Sequence, residues 1–221
     1  MKRAFDILVA SLLILLLLPV WLIVPPLVWL TSPGPALFRQ ERVGRGFRRF
    51  KIWKFRTMVA DAPARGRAIT CGDDPRITRV GRWLRKCKFD ELPQLFNVLW
   101  GDMSLVGPRP EVPRYVEQFH DDYVEVLRVR PGITDLASLR YIDESKILGA
   151  AADPEAEYVG RILPAKIALA KTYVHQQSLW LDITVLAKTV LALFGVRVSL
   201  PRAARASAEI IPPAPPLERS R

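Results

Sequence analysis

The stretch Ile7–Leu30 contains no charged residue, and no other feature limits the possible folds of the chain so sharply. About 20 consecutive apolar residues cross a bilayer as a helix, so a membrane segment is the first reading. A cleaved leader is the competing one, but the run is too long for that and no small-residue cleavage site precedes Ser32-Pro33-Gly34-Pro35. A straight span meets two obstacles. Pro19 sits mid-run and Pro25-Pro26 follow, each removing a backbone donor and clashing with the preceding turn. Basic residues also flank the run on both sides, with Lys2 and Arg3 before it and Arg39, Arg42, Arg45, Arg48, Arg49 and Lys51 after it. The positive-inside rule would hold both flanks on one face. A helix that enters, bends at Pro19 and returns to the same face satisfies both observations, provided other segments or water meet the backbone groups freed at the bend.

Beyond this run the chain is cationic. Thirty-three Lys and Arg against 22 Asp and Glu give a formal charge of +11, which favours polyanionic partners: nucleic acid, anionic lipid or phosphorylated small molecules. Half the residues are hydrophobic and the mean hydropathy is positive, which tilts the choice toward membrane over a soluble nucleic-acid binder. Cys71 and Cys87 are the only cysteines and no close Cys/His set exists. A disulfide framework or structural zinc site is therefore not expected, and a reducing compartment is. His120 and His175 stand alone and read as surface or packing histidines.

Residues 36–42 and 47–55 read as two short strands, with Val43-Gly44-Arg45-Gly46 supplying the turn. Phe50, Ile52 and Phe55 interleave with Lys51, Lys54 and Arg56. That pattern suits either a base-stacking nucleic-acid surface or a core strand with a solvated face, and the adjacent apolar segment favours the core strand. Lys54 and Arg56 are candidate phosphate contacts. Ala60–Gly72 reads as a polar loop. Pro75 then opens an amphipathic helix with Ile77, Val80, Leu84 and Cys87 on one face and Trp83 widening it; headgroup contact and core packing fit it equally well.

In Phe89-Asp90-Glu91-Leu92-Pro93, Asp90 parses as a helix N-cap, with Glu91 and Pro93 in the first turn. Such a helix start attracts anions, and Arg85 and Lys88 reinforce that field. Asp90 would stay ionised there, available as a nucleophile toward phosphorus, and Glu91 could hold a divalent cation. A plain cap with a dipole-complementing glutamate explains each acid separately, and residue chemistry alone favours that plainer reading.

The wider pattern shifts the balance. Asp74-Pro75-Arg76-Ile77-Thr78-Arg79-Val80-Gly81, then Asp90-Glu91-Leu92-Pro93-Gln94-Leu95-Phe96-Asn97-Val98-Leu99, then Gly101-Asp102-Met103-Ser104-Leu105-Val106-Gly107-Pro108-Arg109-Pro110 resembles the bacterial sugar transferases, the small monotopic polyprenyl-phosphate phosphoglycosyl transferases. Residues 50–58, Arg130-Pro131-Gly132-Ile133-Thr134 and the Asp182-Ile183 helix extend the likeness over roughly residues 1–196. The resemblance implies a re-entrant N-terminal helix broken at Pro19. It also implies transfer of a phosphosugar from a nucleotide-diphosphate sugar, with UDP the expected nucleotide, to undecaprenyl phosphate, with release of the nucleoside monophosphate. Asp90 would form a covalent phosphosugar intermediate that the lipid phosphate then attacks. Glu91 would bind Mg2+, and Arg85, Arg109, Lys54 and Arg130 would contact phosphate or donor. Positioning and charge stabilisation carry most of the catalysis in phosphoryl transfer, so this set suffices.

Two departures matter. Leu18 stands before Pro19 where members of the family often carry serine, so the bend rests on Pro19 and packing. After Thr134 the chain reads Asp135-Leu136-Ala137-Ser138-Leu139-Arg140-Tyr141, unlike many members, which leaves the donor's identity open. Further on, residues 115–128, 164–177 and 181–194 read as helices, the last with Ile183, Leu186, Val190 and Phe194 on one face. Residues 143–157 read as a polar helix-loop, and Trp180 suits a membrane interface or the core.

The expected architecture is an α+β fold, mostly helical and monotopic, with a re-entrant helix, a small β-hairpin and amphipathic interfacial helices. Its parts are the re-entrant helix and linker (1–35), a cytosolic catalytic domain (36–200) and a disordered Pro/Ala/Arg-rich tail without catalytic role (201–221). The expected setting is the cytoplasmic face of the bacterial inner membrane, with membrane lipids as partners and no nucleic acid. Homo-oligomerisation stays open. The competing classes are a membrane-tethered nucleic-acid binder and a non-catalytic scaffold of a polysaccharide assembly complex.

Overall fold

The computed structural model describes residues 1–62, 70, 74–201 and 204. Most of the loop expected over Ala60–Gly72 and almost all of the tail expected from Pro201 lie outside the described residues.

The apolar N-terminus forms two helices, α1 (Lys2–Leu16) and α2 (Leu18–Thr31), meeting at 64°. No single helix is long and apolar enough to cross a membrane, but the bent pair passes that test together. Leu17 forms the joint and Pro19 lies in the first turn of α2, where a missing N–H costs least. The indole Nε1 of Trp21 donates to the Ile14 carbonyl at 3.0 Å, so a side chain meets an acceptor at the break.

Both ends of this helical hairpin are tied to the rest of the chain. At the start of α1, Lys2 Nζ donates to Asp182 Oδ2 at 2.6 Å and to the Val106 carbonyl at 3.1 Å. Arg3 donates to the Val98 and Leu99 carbonyls. Just after α2, the Arg56 guanidinium donates to the Ser32 and Pro33 carbonyls. Between these ends Leu8, Leu12, Leu15, Leu16, Leu22 and Leu30 stay exposed.

Strands β1 (Leu37–Val43) and β2 (Arg49–Phe55) pair antiparallel from Leu37↔Phe55 to Val43↔Arg49. The connection is longer than a two-residue turn: Gly44 N donates to the Arg48 carbonyl, and Gly46 takes φ +63°. Phe50, Ile52 and Phe55 are buried. They form core, so Phe50 and Phe55 are not available as the expected alternative, an aromatic base-stacking surface.

Helix α3 (Arg79–Lys86) starts later than Pro75 because Thr78 caps it, its hydroxyl accepting from Gly81 N at 2.9 Å, while Ile77 forms a bridge with Met58. A Cβ on Gly81 would lie 2.0 Å from the Thr57 carbonyl oxygen, so only glycine lets α3 approach this closely. Helix α4 (Gln94–Trp100) packs on α1 and β2. A second sheet, which the sequence did not suggest, pairs β3 (Ser104–Val106) with β4 (Gly132–Thr134) in parallel.

The helix expected over 115–128 is two, α5 (Pro113–Gln118) and α6 (His120–Val126), broken at Phe119. After β4 come α7 (Leu136–Arg140), α8 (Glu144–Ala150), α9 (Pro154–Glu157), a π-helical turn at Tyr158–Ile162, α10 (Leu163–Gln176) and α11 (Leu179–Leu193). The inward side of α11 holds Leu181, Asp182 and Val185, while Ile183, Val190 and Phe194 of the predicted apolar face point outward. Trp180 is 76% exposed, which excludes core packing for it.

Candidate active site

The segment between α3 and α4 carries the two central acids. Lys88 adopts a left-handed backbone (φ +58°), uncommon for a side chain of its size, and the chain then makes a 3-10 turn over Phe89–Glu91. Asp90 is therefore not the N-cap of α4. Pro93 holds that position and no side chain caps the helix, because Leu92 and Pro93 continue with helical angles from the 3-10 turn.

The carboxylate of Glu91 is held from two sides. Lys54 Nζ, on β2, donates to Oε1 at 2.8 Å. Arg109 donates to both oxygens, at 3.3 Å to Oε2 and by a shorter contact to Oε1. Burial opposes ionisation of Glu91 most strongly, yet Arg109 and Lys54 overcome it and hold the carboxyl well below the usual range. The Glu91 charge in turn raises Arg109 above its ordinary value. Burial lowers Lys54 more than Glu91 raises it.

Asp90 is in a different state. It is 7% exposed, and its Oδ1 is buried without a hydrogen-bond partner. Burial, then the negative charge of Glu91, raises its pKa, against Lys54, Arg85 and Lys88. Burial and Glu91 thus outweigh the nearby cations in the direction of the shift. An unmet buried acceptor costs about 1–3 kcal/mol, and a raised pKa makes the ionised carboxylate a stronger base and nucleophile.

Several ties fix this geometry. Asn97 on α4 is almost fully buried; its Oδ1 accepts from Trp53 N at 3.1 Å and its Nδ2 donates to the Lys51 carbonyl at 2.9 Å. It thus joins the helix after Asp90-Glu91 to the strand carrying Lys54. The turn bearing Arg109 is clamped between the sheets. Gly107 and Gly132 approach so closely that a Cβ on Gly132 would lie 2.1 Å from Gly107 N. Gly132 N donates to the Pro108 carbonyl, Arg42 donates to the Pro110 carbonyl, and Arg109 N donates to Asp135 Oδ2 at 3.3 Å while Asp135 Oδ1 caps α7.

Of the residues singled out in the sequence, Lys54, Asp90, Glu91 and Arg109 come together. Arg85 is close enough for its charge to act on Asp90, and its Nε donates to Thr57 Oγ1 at 2.9 Å. Arg130 is not in this cluster: its Nε donates to the Gly101 carbonyl, at the opposite end of α4. Pro19 lies at the helix break. Asn97 and Asp135 were assigned no role from sequence. Their signal was faint: an amide between Phe96 and Val98, and an acid directly after Ile133-Thr134.

A magnesium ion takes oxygen ligands in a near-octahedral set and usually rests on one or two carboxylates plus substrate phosphates. Among the described residues no group of three or more His, Cys, Asp or Glu gathers to hold a metal. Glu91 does not fit the ligand role while both its oxygens bind cations, whereas Asp90 Oδ1 is free.

Comparison with known proteins bears on this arrangement. The family model described as bacterial sugar transferase matches residues 1–196. The UDP-N-acetylgalactosamine-undecaprenyl-phosphate N-acetylgalactosaminephosphotransferase of Aeromonas hydrophila is 42% identical over 202 residues, covering 89% of this chain and 45% of that protein. The undecaprenyl-phosphate glucose phosphotransferase of Komagataeibacter xylinus is 40% identical over 197 residues, 86% of this chain and 35% of that protein. The UDP-glucose:undecaprenyl-phosphate glucose-1-phosphate transferase of Caulobacter vibrioides is 41% identical over 197 residues, 87% and 69% respectively. The chain spans less than half the length of the first two. With residues 1–196 of 221 matched, the chain belongs to the bacterial sugar transferase family.

Proposed function

We propose that the chain transfers a sugar 1-phosphate from a UDP-sugar to undecaprenyl phosphate, as the first membrane step of polysaccharide or glycoconjugate synthesis. The observation that carries this reading is Asp90: a buried carboxylate with an unmet oxygen, in the field of Lys54, Arg85 and Lys88. A carboxylate oxygen of Asp90 attacks the sugar-bearing phosphorus. A P–O bond forms to Asp90, the P–O bond to the second phosphate breaks, and UMP leaves with that electron pair. An oxygen of undecaprenyl phosphate then attacks the same phosphorus, forming the lipid diphosphate-sugar and returning Asp90 as a carboxylate. Lys54, Arg85 and Arg109 orient and neutralise phosphate oxygens, which is where most of the rate gain in phosphoryl transfer arises. Magnesium is proposed to accompany the donor's diphosphate, and when bound it supplies further charge neutralisation.

The chain is proposed to lie on the cytoplasmic face of the bacterial inner membrane with α1 and α2 as a re-entrant pair. The exposed leucines between two ends tied to the same folded body support that topology. An apolar groove of about 640 Å³ lined by Trp21, Pro25, Trp29, Phe55, Pro93 and Phe96 reaches α4 at Pro93, two residues after Glu91, and offers the lipid acceptor a non-aqueous approach. The test is a donor panel in nanodiscs containing polyprenyl phosphate, with UMP release as readout. Release that depends on Asp90 supports the reading; no turnover with any donor, or unchanged turnover in Asp90→Asn, defeats it. For topology, Ala4→Cys and Arg48→Cys in a background without Cys71 and Cys87 should both resist a periplasmic thiol reagent, and labelling of either one contradicts the re-entrant pair.

A further inference from the structure

We infer that Glu91 is a positioning residue that holds Lys54 and Arg109 toward Asp90, and is not a metal ligand in this chain. The inference rests on the proposed phosphoryl-transfer site but concerns a separate property of it. Glu91 is embedded, its side chain 12% exposed, and its two oxygens already receive three donor contacts from two cations. A buried carboxylate so paired is costly to strip of its partners. A divalent ion placed on it would meet the Lys54 and Arg109 charges at contact range, with repulsion that the buried site screens poorly. Asp90 carries the opposite signature, an oxygen with no donor at all. The two neighbouring acids therefore divide the work. Glu91 spends its charge within the protein, holding a lysine from β2 and an arginine from the clamped turn at the residue next to Asp90. Asp90 keeps an oxygen for what arrives.

The division explains why the site has one acid depressed and the other raised, although the two residues are adjacent. It also explains the clamping of Arg109. A metal-binding glutamate would not need its arginine neighbour fixed by Gly132, Arg42 and Asp135, whereas a glutamate acting through that arginine does.

Manganese, a paramagnetic stand-in for magnesium, tests this without turnover. Binding to the purified full chain in nanodiscs is read from the free-Mn2+ electron paramagnetic resonance signal, with and without UDP. Wild type and Glu91→Gln should give the same isotherm within about threefold under both conditions, against the roughly 10–100-fold loss that follows when a metal site loses a supporting group. A Mn2+ site present in wild type and weakened tenfold or more in Glu91→Gln overturns the inference. A gain-of-binding variant guards against a misfolded one. Lys54→Gln/Arg109→Gln releases both Glu91 oxygens beside Asp90 and should bind Mn2+ at least tenfold more tightly than wild type without UDP. That gain should be lost when Glu91→Gln is added. Absence of the gain shows that the two cations are not what keeps metal off Glu91, and the inference falls. Failure of the transferase reading would appear instead as absent UMP release, leaving these isotherms unaffected.

Discussion

Buried acidic side chains in two regions of this molecule are treated in opposite ways. Beneath α1, Asp6 accepts from Ser104 Oγ and Leu105 N, and Asp182 accepts from Lys2 and from the Tyr173 hydroxyl at 2.6 Å each. Every oxygen there has a donor, which is how buried carboxylates normally persist. At the other region Glu91 is equally satisfied, but Asp90 is left with a bare oxygen. The first region anchors a helix. The second retains an unfavourable group, and folded proteins retain such groups where chemistry needs them.

The comparison breaks most directly at Asp90. Asp90→Asn should lower UMP release by at least about 10⁴-fold, the scale on which loss of a nucleophile acts. It should also melt higher than wild type at neutral pH, because the amide removes a buried charge. A rise of about 2–4 °C corresponds to roughly 1 kcal/mol in a chain of this size. The sign with pH follows from the raised Asp90 pKa. The wild-type penalty exists only while Asp90 is ionised, so the gain of the amide should vanish as acid protonates the wild-type residue.

Asp182→Ala probes the other side. It strands half-buried Lys2 and buried Tyr173 without their acceptor and should cost about 3 kcal/mol of stability, with turnover retained per folded molecule. Loss of turnover in a fully folded Asp182→Ala protein would erase the distinction between anchor and reactive site.

Asn97→Ala removes two ties between α4 and β2, leaving the Trp53 N–H and the Lys51 carbonyl unmet. The expected cost is about 2–4 kcal/mol, with up to about 100-fold lower turnover as Lys54 and Asp90 lose register. A milder effect is expected in the pH profile: kcat/KM should fall in acid with an inflection above the ordinary aspartate value of 3.8, because attack needs ionised Asp90. The smallest effect belongs to Trp180→Ser. Exposed on α11, it should leave stability within about 0.5 kcal/mol while weakening partition into vesicles.

Much of this was legible in the sequence. The helical hairpin followed from an uncharged run interrupted by Pro19, and the strand pair from glycines at 44 and 46 between alternating residues. The linked motifs around Asp90 and Arg109 gave the family. What failed did so for local reasons. Asp90 has the composition of an N-cap, but Leu92 and Pro93 extend the preceding turn, so the cap position falls on a proline. Arg130 has the composition of a phosphate contact, but a close approach of two glycines turns its neighbours into a sheet and leaves its side chain at the far end of α4. The outward face of α11 obeys helical periodicity while the inward face buries Asp182, because Lys2, distant in sequence, supplies the counter-charge. Asn97 reads as a poor helix former, and its value lies in carrying a strand-like pair of hydrogen bonds on a helix. The misses at Arg130, Asp182 and Asn97 concern partners remote in sequence, which local pattern does not encode.

The central claim is that Asp90 carries the phosphosugar between donor and lipid. Intact-mass spectrometry of the enzyme incubated with a UDP-sugar, in the absence of polyprenyl phosphate, tests it most directly. The account predicts a mass increase of one sugar phosphate, located by peptide mapping to Asp90 and discharged on adding the lipid phosphate. A turning-over enzyme that never carries the adduct, or one that carries it equally in Asp90→Asn, would contradict it.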